Sequence, residues 1–84
     1  MHTITLYSKD GCHLCEQVLH ELRPLVDELG LHVLEVDITA DAALWQRFRY
    51  LIPVVATPTR AFFAPIDMDE LMEVLRDVNT WPIG

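Results

Sequence analysis

The sequence predicts one α/β domain in which the elements run β-α-β-α-β-β-α and four strands form a mixed sheet flanked by helices. Short segments rich in β-branched residues alternate with longer segments of helical periodicity. The first strand, helix and second strand are long enough for a βαβ unit, whose right-handed crossover pairs its strands in parallel. Two short strands near the C-terminus indicate an antiparallel hairpin. With 84 residues, 51% of them apolar, the chain suits a single core, and we assign residues 1–84 to one domain.

The first strand is predicted over residues 3–7, where Ile4 and Leu6 alternate with polar residues. After a break at residues 8–11, apolar side chains recur at helical spacing from residue 12 to residue 29. A glycine follows directly and ends this helix.

The second strand is predicted over residues 31–38, a nearly continuous apolar run that is typical of a central strand covered on both faces. A helix is predicted over residues 40–49. Residues 51–57 and 59–64 are predicted to form two strands that meet at Pro58.

A last helix is predicted after residues 67–70, where Asp-Met-Asp-Glu resembles a capping box. Its apolar face would consist of Leu71, Val74, Leu75 and Val78. The tail of residues 81–84 contains a proline and is not expected to continue the helix.

The charge of the chain limits its partners. Thirteen acidic and six basic residues give a net charge of −7, and no cluster of lysine or arginine interrupts this excess. Such a surface repels phosphate backbones and anionic membranes, so neither nucleic acid nor a membrane is expected as a partner. No apolar run approaches the ~20 residues of a membrane-spanning helix, and no secretion signal is recognisable at the N-terminus. We expect a soluble, monomeric, cytoplasmic protein.

The only two cysteines, Cys12 and Cys15, are three positions apart. A structural disulfide stabilises a protein mainly by closing a long loop, so this bridge would contribute little. In a cytoplasmic chain, a Cys-x-x-Cys pair instead indicates redox chemistry or one half of a metal site. A closed zinc site needs four ligands, and the chain has neither a second cysteine pair nor a suitably spaced histidine pair. The histidines are His2, His13, His20 and His32. We therefore predict no metal site.

The predicted position of Cys12 at the start of a helix exposes its sulfur to unpaired backbone N–H groups and to the positive end of the helix dipole. Both favour the thiolate, so Cys12 is predicted to be the nucleophile. Cys15 lies one turn further along, within the distance that a disulfide requires. It is predicted to resolve the mixed disulfide that Cys12 forms with a target. A protonated His13 between them would stabilise the thiolate further.

Three segments of the chain resemble glutaredoxins. Residues 6–15 (Leu-Tyr-Ser-Lys-Asp-Gly-Cys-His-Leu-Cys) look like the active-site strand and turn of that family, especially of small bacterial glutaredoxin-like proteins with a Cys-His-Leu-Cys or similar motif. Residues 36–38 (Val-Asp-Ile) look like its second strand. Residues 51–54 (Leu-Ile-Pro-Val) occupy the place of its cis-proline loop. The resemblance covers essentially the whole chain and implies the thioredoxin-like fold.

The resemblance implies that the Ile52–Pro53 bond is cis and that this turn faces the Cys12 sulfur, leaving a backbone edge on which a peptide or glutathione pairs. It also implies that Lys9 lies near the carboxylate of bound glutathione, although a solvated turn lysine explains that residue equally well. The expected catalytic residues are therefore Cys12 and Cys15. The expected substrate-binding residues are Lys9, His13, Leu14, Ile52 and Pro53.

The chain departs from the glutaredoxin pattern where that family holds glutathione. Leu51 replaces the threonine of the usual Thr-Val-Pro, and Leu14 replaces a tyrosine that many members carry between the cysteines. No glycine lies between Thr57 and Asp67, where the family has a glycine pair and an acidic residue. A helix N-cap explains Asp67 better than a glutathione contact does. Glutathione is therefore a candidate co-substrate only, and no other cofactor is expected.

We expect a thiol–disulfide oxidoreductase that reduces protein or low-molecular-weight disulfides. Two alternatives stay open. One is a redox-dependent binding module without turnover, for which Trp45, Tyr50 and Trp81 are candidate contacts, although core packing explains these aromatic side chains as well. The other is metal or iron–sulfur cluster binding through the two cysteines, shared across a dimer.

Overall fold

The computed structural model, which describes residues 2–82, consists of one four-stranded sheet with helices packed on it. The strands are β1 (His2–Ser8), β2 (Leu31–Asp37), β3 (Val54–Ala56) and β4 (Ala61–Phe63). The helices are α1 (His13–Leu29), α2 (Ala42–Phe48) and α3 (Met68–Arg76), with 3₁₀ turns at Ile38–Ala40 and Val78–Thr80. Met1, Ile83 and Gly84 lie outside the described residues, and with them the end of the predicted C-terminal tail. None of the helices within residues 2–82 has the length and hydropathy that crossing a membrane requires.

The sheet has the strand order β2-β1-β3-β4, which places β1 between a parallel and an antiparallel neighbour. β1 and β2 pair in parallel along their whole length, as a right-handed βαβ crossover requires. β3 and β4 form the antiparallel hairpin. The order of elements and the mixed sheet confirm the predicted α/β architecture, and the fold is thioredoxin-like.

β2 is an edge strand, which corrects the prediction of a central strand covered on both faces. Leu31 and Val33 pack on the core, but Leu34, on the opposite side of the strand, is 49% exposed. The prediction was wrong because Leu34 and Val36 extend the apolar run without being buried. An uninterrupted apolar segment is typical of a central parallel strand, but it does not by itself exclude an edge position.

Both hairpin strands are shorter than predicted, and β3 begins late because the segment before it is bonded to the end of α2. The N–H groups of Leu51 and Ile52 donate to the Phe48 carbonyl at 2.8 and 3.2 Å. Pro53 has no N–H to offer a neighbouring strand. Pairing with β1 therefore begins only at Val54.

α3 begins and ends at identifiable caps. The Asp67 side chain accepts the N–H of Glu70 at 3.2 Å, which confirms its predicted role as N-cap. The helix ends at Arg76, because Asp77 adopts an extended conformation with ψ of 119°. Val78 was predicted to belong to the apolar face of this helix; it lies beyond the helix and is 82% exposed.

Two apolar clusters hold the sheet and the helices together. The larger lies on the α1 and α3 side of the sheet, and its buried members are Ile4, Leu6, Val18, Leu22, Leu25, Leu31, Val55, Phe62, Leu71 and Leu75. The smaller lies on the α2 side, and its buried members are Ile38, Phe48 and Val54. Side chains alternate between the faces along a strand, so Leu6 joins the larger cluster and its neighbour Tyr7 packs against the smaller.

We expect Leu22→Ala to lower the free energy of unfolding by about 2–5 kcal/mol, since its side chain is fully buried and its removal leaves a cavity. Leu34→Ala removes the same atoms from a side chain that is 49% exposed, and it should cost much less. Urea denaturation of both variants, followed by circular dichroism, measures the difference. Equal losses would contradict this assignment of the core.

Candidate redox site at the start of helix α1

The two cysteines lie at the N-terminus of α1 and form a disulfide bond, with their Cα atoms 5.3 Å apart. Cys12 is the N-cap of the helix, one position before the first helical residue, whereas the sequence predicted it to be that residue. Its Sγ accepts the backbone N–H of Cys15 at 3.2 Å. A sulfur in this position lies among the unpaired N–H groups of the first turn, which stabilise negative charge.

The two cysteines differ in exposure. Cys12 is half-buried, whereas Cys15 is only 4% exposed and belongs to the buried side of α1. A target disulfide can therefore approach Cys12 directly. Cys15 is accessible mainly to a group that is already bonded to Cys12.

The turn between β1 and α1 sets this geometry. Gly11 has φ of 76°, a left-handed conformation that glycine adopts without steric cost. The Cys12 N–H donates to the Lys9 carbonyl at 3.3 Å and closes the turn. The chain thus passes from the β1 strand to the helix within residues 9–12.

A cavity of about 270 Å³ opens beside the disulfide, and it is lined by the start of α1 and by the ends of β1 and β2. We call it the acidic cavity. Its lining residues are Ser8, Lys9, Asp10, Gly11, Cys12, Cys15, Glu16, Leu19, Glu35 and Asp37. The register pairs Glu35 with Leu6, whose side chain is in the core on the α1 side. Glu35 and Asp37, two residues apart, therefore lie on the face of the sheet that α1 covers.

The Asp37 carboxylate is held by the turn that follows β2. It accepts the Thr39 hydroxyl at 2.6 Å and the Thr39 backbone N–H at 2.8 Å. The hydroxyl bond first, and then the N–H bond, lower the pKa of Asp37 below its ordinary value. The carboxylate therefore stays ionised at a lower pH than that of an ordinary aspartate.

A second depression, of about 170 Å³, lies between α1, the Pro53 turn and the segment before α3. We call it the apolar groove. Its lining residues are Leu14, Gln17, Val18, Glu21, Pro53, Ala64, Pro65, Ile66 and Met68. Leu14 is 59% exposed and directly precedes Cys15, so the groove offers an apolar contact surface next to the cysteine pair.

The Ile52–Pro53 bond is cis, as the resemblance implied. That this turn faces the Cys12 sulfur stays a prediction. A second cis bond, Ala64–Pro65, was not predicted. The sequence held no signal for it, because most X–Pro bonds in folded proteins are trans. Both prolines line the apolar groove.

Three of the five residues predicted to bind substrate line one of the two depressions. Lys9 lines the acidic cavity together with both cysteines, and its ammonium lies 5.8 Å from the centre of the Trp45 ring. Leu14 and Pro53 line the apolar groove.

The other two, His13 and Ile52, line neither depression. The His13 side chain is 96% exposed, and its ring nitrogen lies 3.9 Å from a Glu16 carboxylate oxygen. The Ile52 side chain packs against the cluster on the α2 side. Its N–H donates to the Phe48 carbonyl, so only its carbonyl is left to pair with a substrate backbone.

Sequence reasoning missed the acidic side of the site, formed by Asp10, Glu16, Glu35 and Asp37. A signal was present in β2, where every second residue gives the series Leu31, Val33, Glu35 and Asp37. This series is one face of the strand, and it changes from apolar to acidic along the chain. The interpretation of residues 31–38 as a run covered on both faces concealed it.

The aromatic residues considered as partner contacts have different surroundings. Trp45 is half-buried and packs against the cluster on the α2 side. Trp81 is half-buried and stacks on His2, with ring centres 4.3 Å apart. Packing therefore explains both tryptophans. Tyr50, in contrast, is 83% exposed.

In the part of the chain that the structure describes, no three or more histidine, cysteine, aspartate or glutamate residues are grouped so that they could hold a metal ion. The two cysteines are the only thiolate donors of the chain, and their sulfurs are bonded to each other.

Fold and site together define a class, that of thioredoxin-fold proteins with a Cys-x-x-Cys pair at the N-terminus of the first helix. The family model described as "Glutaredoxin-like domain (DUF836)" matches residues 3–76, and the chain belongs to this family. The chain is also similar to the solved X-ray structure of the Northeast Structural Genomics target protein XcR50 from X. campestris. The two are 31% identical with a TM-score of 0.73, and the alignment covers 94% of this chain and 99% of that chain. Among curated proteins, none matches this chain.

We expect Thr39→Val to raise the pKa of Asp37, since it removes the hydroxyl that contributes most to lowering it. The bond from the backbone N–H remains, so the pKa should stay below that of an ordinary aspartate. A lowered folded-state pKa stabilises the fold above the unfolded pKa of about 3.9, and this contribution is lost as the pH falls through the folded pKa. In the variant, this contribution should be smaller, and its loss should be complete at a higher pH.

An NMR titration of the carboxyl carbon of Asp37 in both proteins measures this shift. Thr3→Val serves as the control, because Thr3 is an exposed threonine at the opposite end of β1. An Asp37 pKa that is the same with and without the Thr39 hydroxyl would refute the assigned cause.

Proposed function

We propose that this protein is a thiol–disulfide oxidoreductase that reduces disulfides of proteins or small molecules. The observation that carries the proposal is the unequal exposure of Cys12 and Cys15 at one helix N-terminus. Exchange chemistry needs one sulfur that a target can reach and a second that stays protected until the first has reacted. A bridge across three positions has little structural value, so stability does not explain it.

In the reduced protein, Cys12 reacts first. Its thiolate attacks one sulfur of the target disulfide, forms a mixed disulfide, and displaces the other target sulfur as a thiolate that takes up a proton from water. The Cys15 N–H, 3.2 Å from the Cys12 Sγ, helps to stabilise the attacking thiolate. The other unpaired N–H groups of the first helical turn act in the same direction.

Cys15 then resolves the mixed disulfide. It loses its thiol proton to water and attacks the Cys12 sulfur, and the second target thiolate leaves. A Cα separation of 5.3 Å suits the bond that forms. The net reaction moves two electrons from the protein dithiol to the target. A thiol or dithiol reductant from outside the protein restores the pair.

The apolar groove supports a role for Leu14 and Pro53 in binding the target next to its reacting sulfur. In this proposal, an apolar side chain of an extended target segment lies against these two residues. Ile52 contributes through its carbonyl alone, because its N–H is bonded to Phe48. His13 does not line the groove, so in this proposal it does not contact the target side chain that lies there.

We further propose that the protein acts as a monomer in the cytoplasm, where reductants keep a Cys-x-x-Cys pair cycling. The net charge of −7 supports a protein or small-molecule partner and disfavours nucleic acid and anionic membrane surfaces. Glutathione is the co-substrate that the family resemblance implies; if it binds, Lys9 is the residue proposed to meet its carboxylate.

Serine variants of the two cysteines should have different effects. We expect reduced Cys15→Ser to accumulate a mixed disulfide with bis(2-hydroxyethyl) disulfide, because the attacking sulfur is present and the resolving sulfur is absent. Cys12→Ser should form little or none. Acid quenching followed by intact mass spectrometry measures the adduct. The double serine variant is the control, since the chain has no further cysteine.

Two results would contradict this assignment. If only Cys12→Ser forms the adduct, then Cys15 is the nucleophile and the two roles are exchanged. If neither variant nor the wild-type protein reacts, then the pair does not carry out disulfide exchange.

Glutathione should be a poor electron donor for the oxidised protein. The segment 64–67 has no glycine, which would let a ligand approach the backbone closely, and Pro65 has no N–H to donate to glutathione. We expect a thioredoxin-reductase system to reduce the disulfide faster than glutathione does, each measured in a separate vessel by coupled NADPH consumption. Rapid reduction by glutathione would refute this expectation. In that case, Lys9→Gln tests whether the lysine holds the glutathione carboxylate.

A further inference from the structure

The side of β2 that faces α1 changes from apolar to acidic towards the disulfide. The side chains on this face are, in order, Leu31, Val33, Glu35 and Asp37. The first two pack on the larger core, and the last two line the acidic cavity together with both cysteines. Both carboxylates are exposed, so they lie on the part of this face that the core does not cover, beside the cysteines.

The acidic cavity carries more negative than positive charge. Four of its lining residues are acidic, namely Asp10, Glu16, Glu35 and Asp37, and one, Lys9, is basic. Glu16 approaches the His13 ring at 3.9 Å. Within residues 2–82, the other three carboxylates form no salt bridge. The negative charge beside the two sulfurs is therefore largely uncompensated.

We propose that Glu16 and Glu35 set the charge preference of the redox site, so that Cys12 reacts faster with positively charged disulfides than with negatively charged ones. The preferred target is a disulfide flanked by lysine or arginine side chains, or a small disulfide that bears amines. This inference rests on the proposed function and specifies its substrate class.

The preference for positively charged disulfides follows from the position that a target occupies while it exchanges with Cys12. A group that bonds to the Cys12 sulfur has to enter the space at the start of α1, beside the acidic cavity. In water at low ionic strength, two unit charges about 7 Å apart change a rate by about two- to threefold, and salt screens the effect. The apolar groove supplies no positive charge, because its one charged lining residue is Glu21.

Three small disulfides of similar size test the preference. Cystamine carries two ammonium groups, bis(2-hydroxyethyl) disulfide is neutral, and 3,3′-dithiodipropionate carries two carboxylates. In each exchange the protein dithiol is oxidised to the Cys12–Cys15 disulfide, and the probe is reduced to two thiols. Rate constants are measured by rapid quenching at low and at high salt. They are expressed relative to the neutral probe, which reports the nucleophilicity of Cys12 itself.

The double variant Glu16→Gln/Glu35→Gln removes two carboxylates from the cavity. We expect its relative rate with cystamine to fall about fivefold and its relative rate with dithiodipropionate to rise about fivefold, with both changes shrinking in high salt. The control Asp27→Asn/Glu73→Gln removes the same charge from exposed positions that line neither depression. It should leave all three rates unchanged. Urea denaturation of both double variants compares their stability.

The outcomes separate this inference from the function on which it rests. If the two charged probes shift in the same direction, or do not shift, or if the control variant reproduces the effect, then these glutamates do not set the preference. If the neutral probe fails to oxidise the wild-type dithiol at all, the proposed function itself is wrong.

Discussion

The packing of α1 against the central strand β1 is the constraint on which the redox site depends. β1 is bonded on both sides, to β2 and to β3, so its C-terminal end has a defined position. α1 is held over the sheet by buried residues such as Val18, Leu22 and Leu25. The short turn between the two elements then places Cys12 at the N-cap of the helix. The position of the first sulfur is therefore a consequence of core packing.

The same packing separates the two sulfurs. Cys15 lies on the face of α1 that packs towards the sheet, and it is buried there with Val18. Cys12 lies outside the helical turns and remains partly open to solvent. The order of attack and resolution that we propose rests on this difference in exposure.

The two depressions near the disulfide differ in polarity. The apolar groove is built by Leu14 and by the two cis-proline segments, whereas the acidic cavity draws its carboxylates from the β1–α1 turn, α1 and β2. Membership of the glutaredoxin-like family accounts for the fold and for the cysteine pair. The chain departs most from the glutathione-binding pattern at these flanking surfaces. In the function proposed above, they set the choice of target: the acidic surface disfavours anionic thiols, and the apolar surface favours a polypeptide.

The sequence by itself determined the order of elements, the cysteine pair and its place at the N-terminus of α1, because all three depend on local patterns. Helical spacing, strand alternation, the glycine before Cys12 and the cap at Asp67 act within a few residues of one another. Tertiary structure alone decided that β2 is an edge strand and that Glu35 and Asp37 lie beside the sulfurs. These facts depend on which strand pairs with which and in what register, and such pairing joins residues far apart in the chain. The cysteine pair could thus be predicted from its spacing in the sequence, whereas the negative charge around it became visible only in the folded structure.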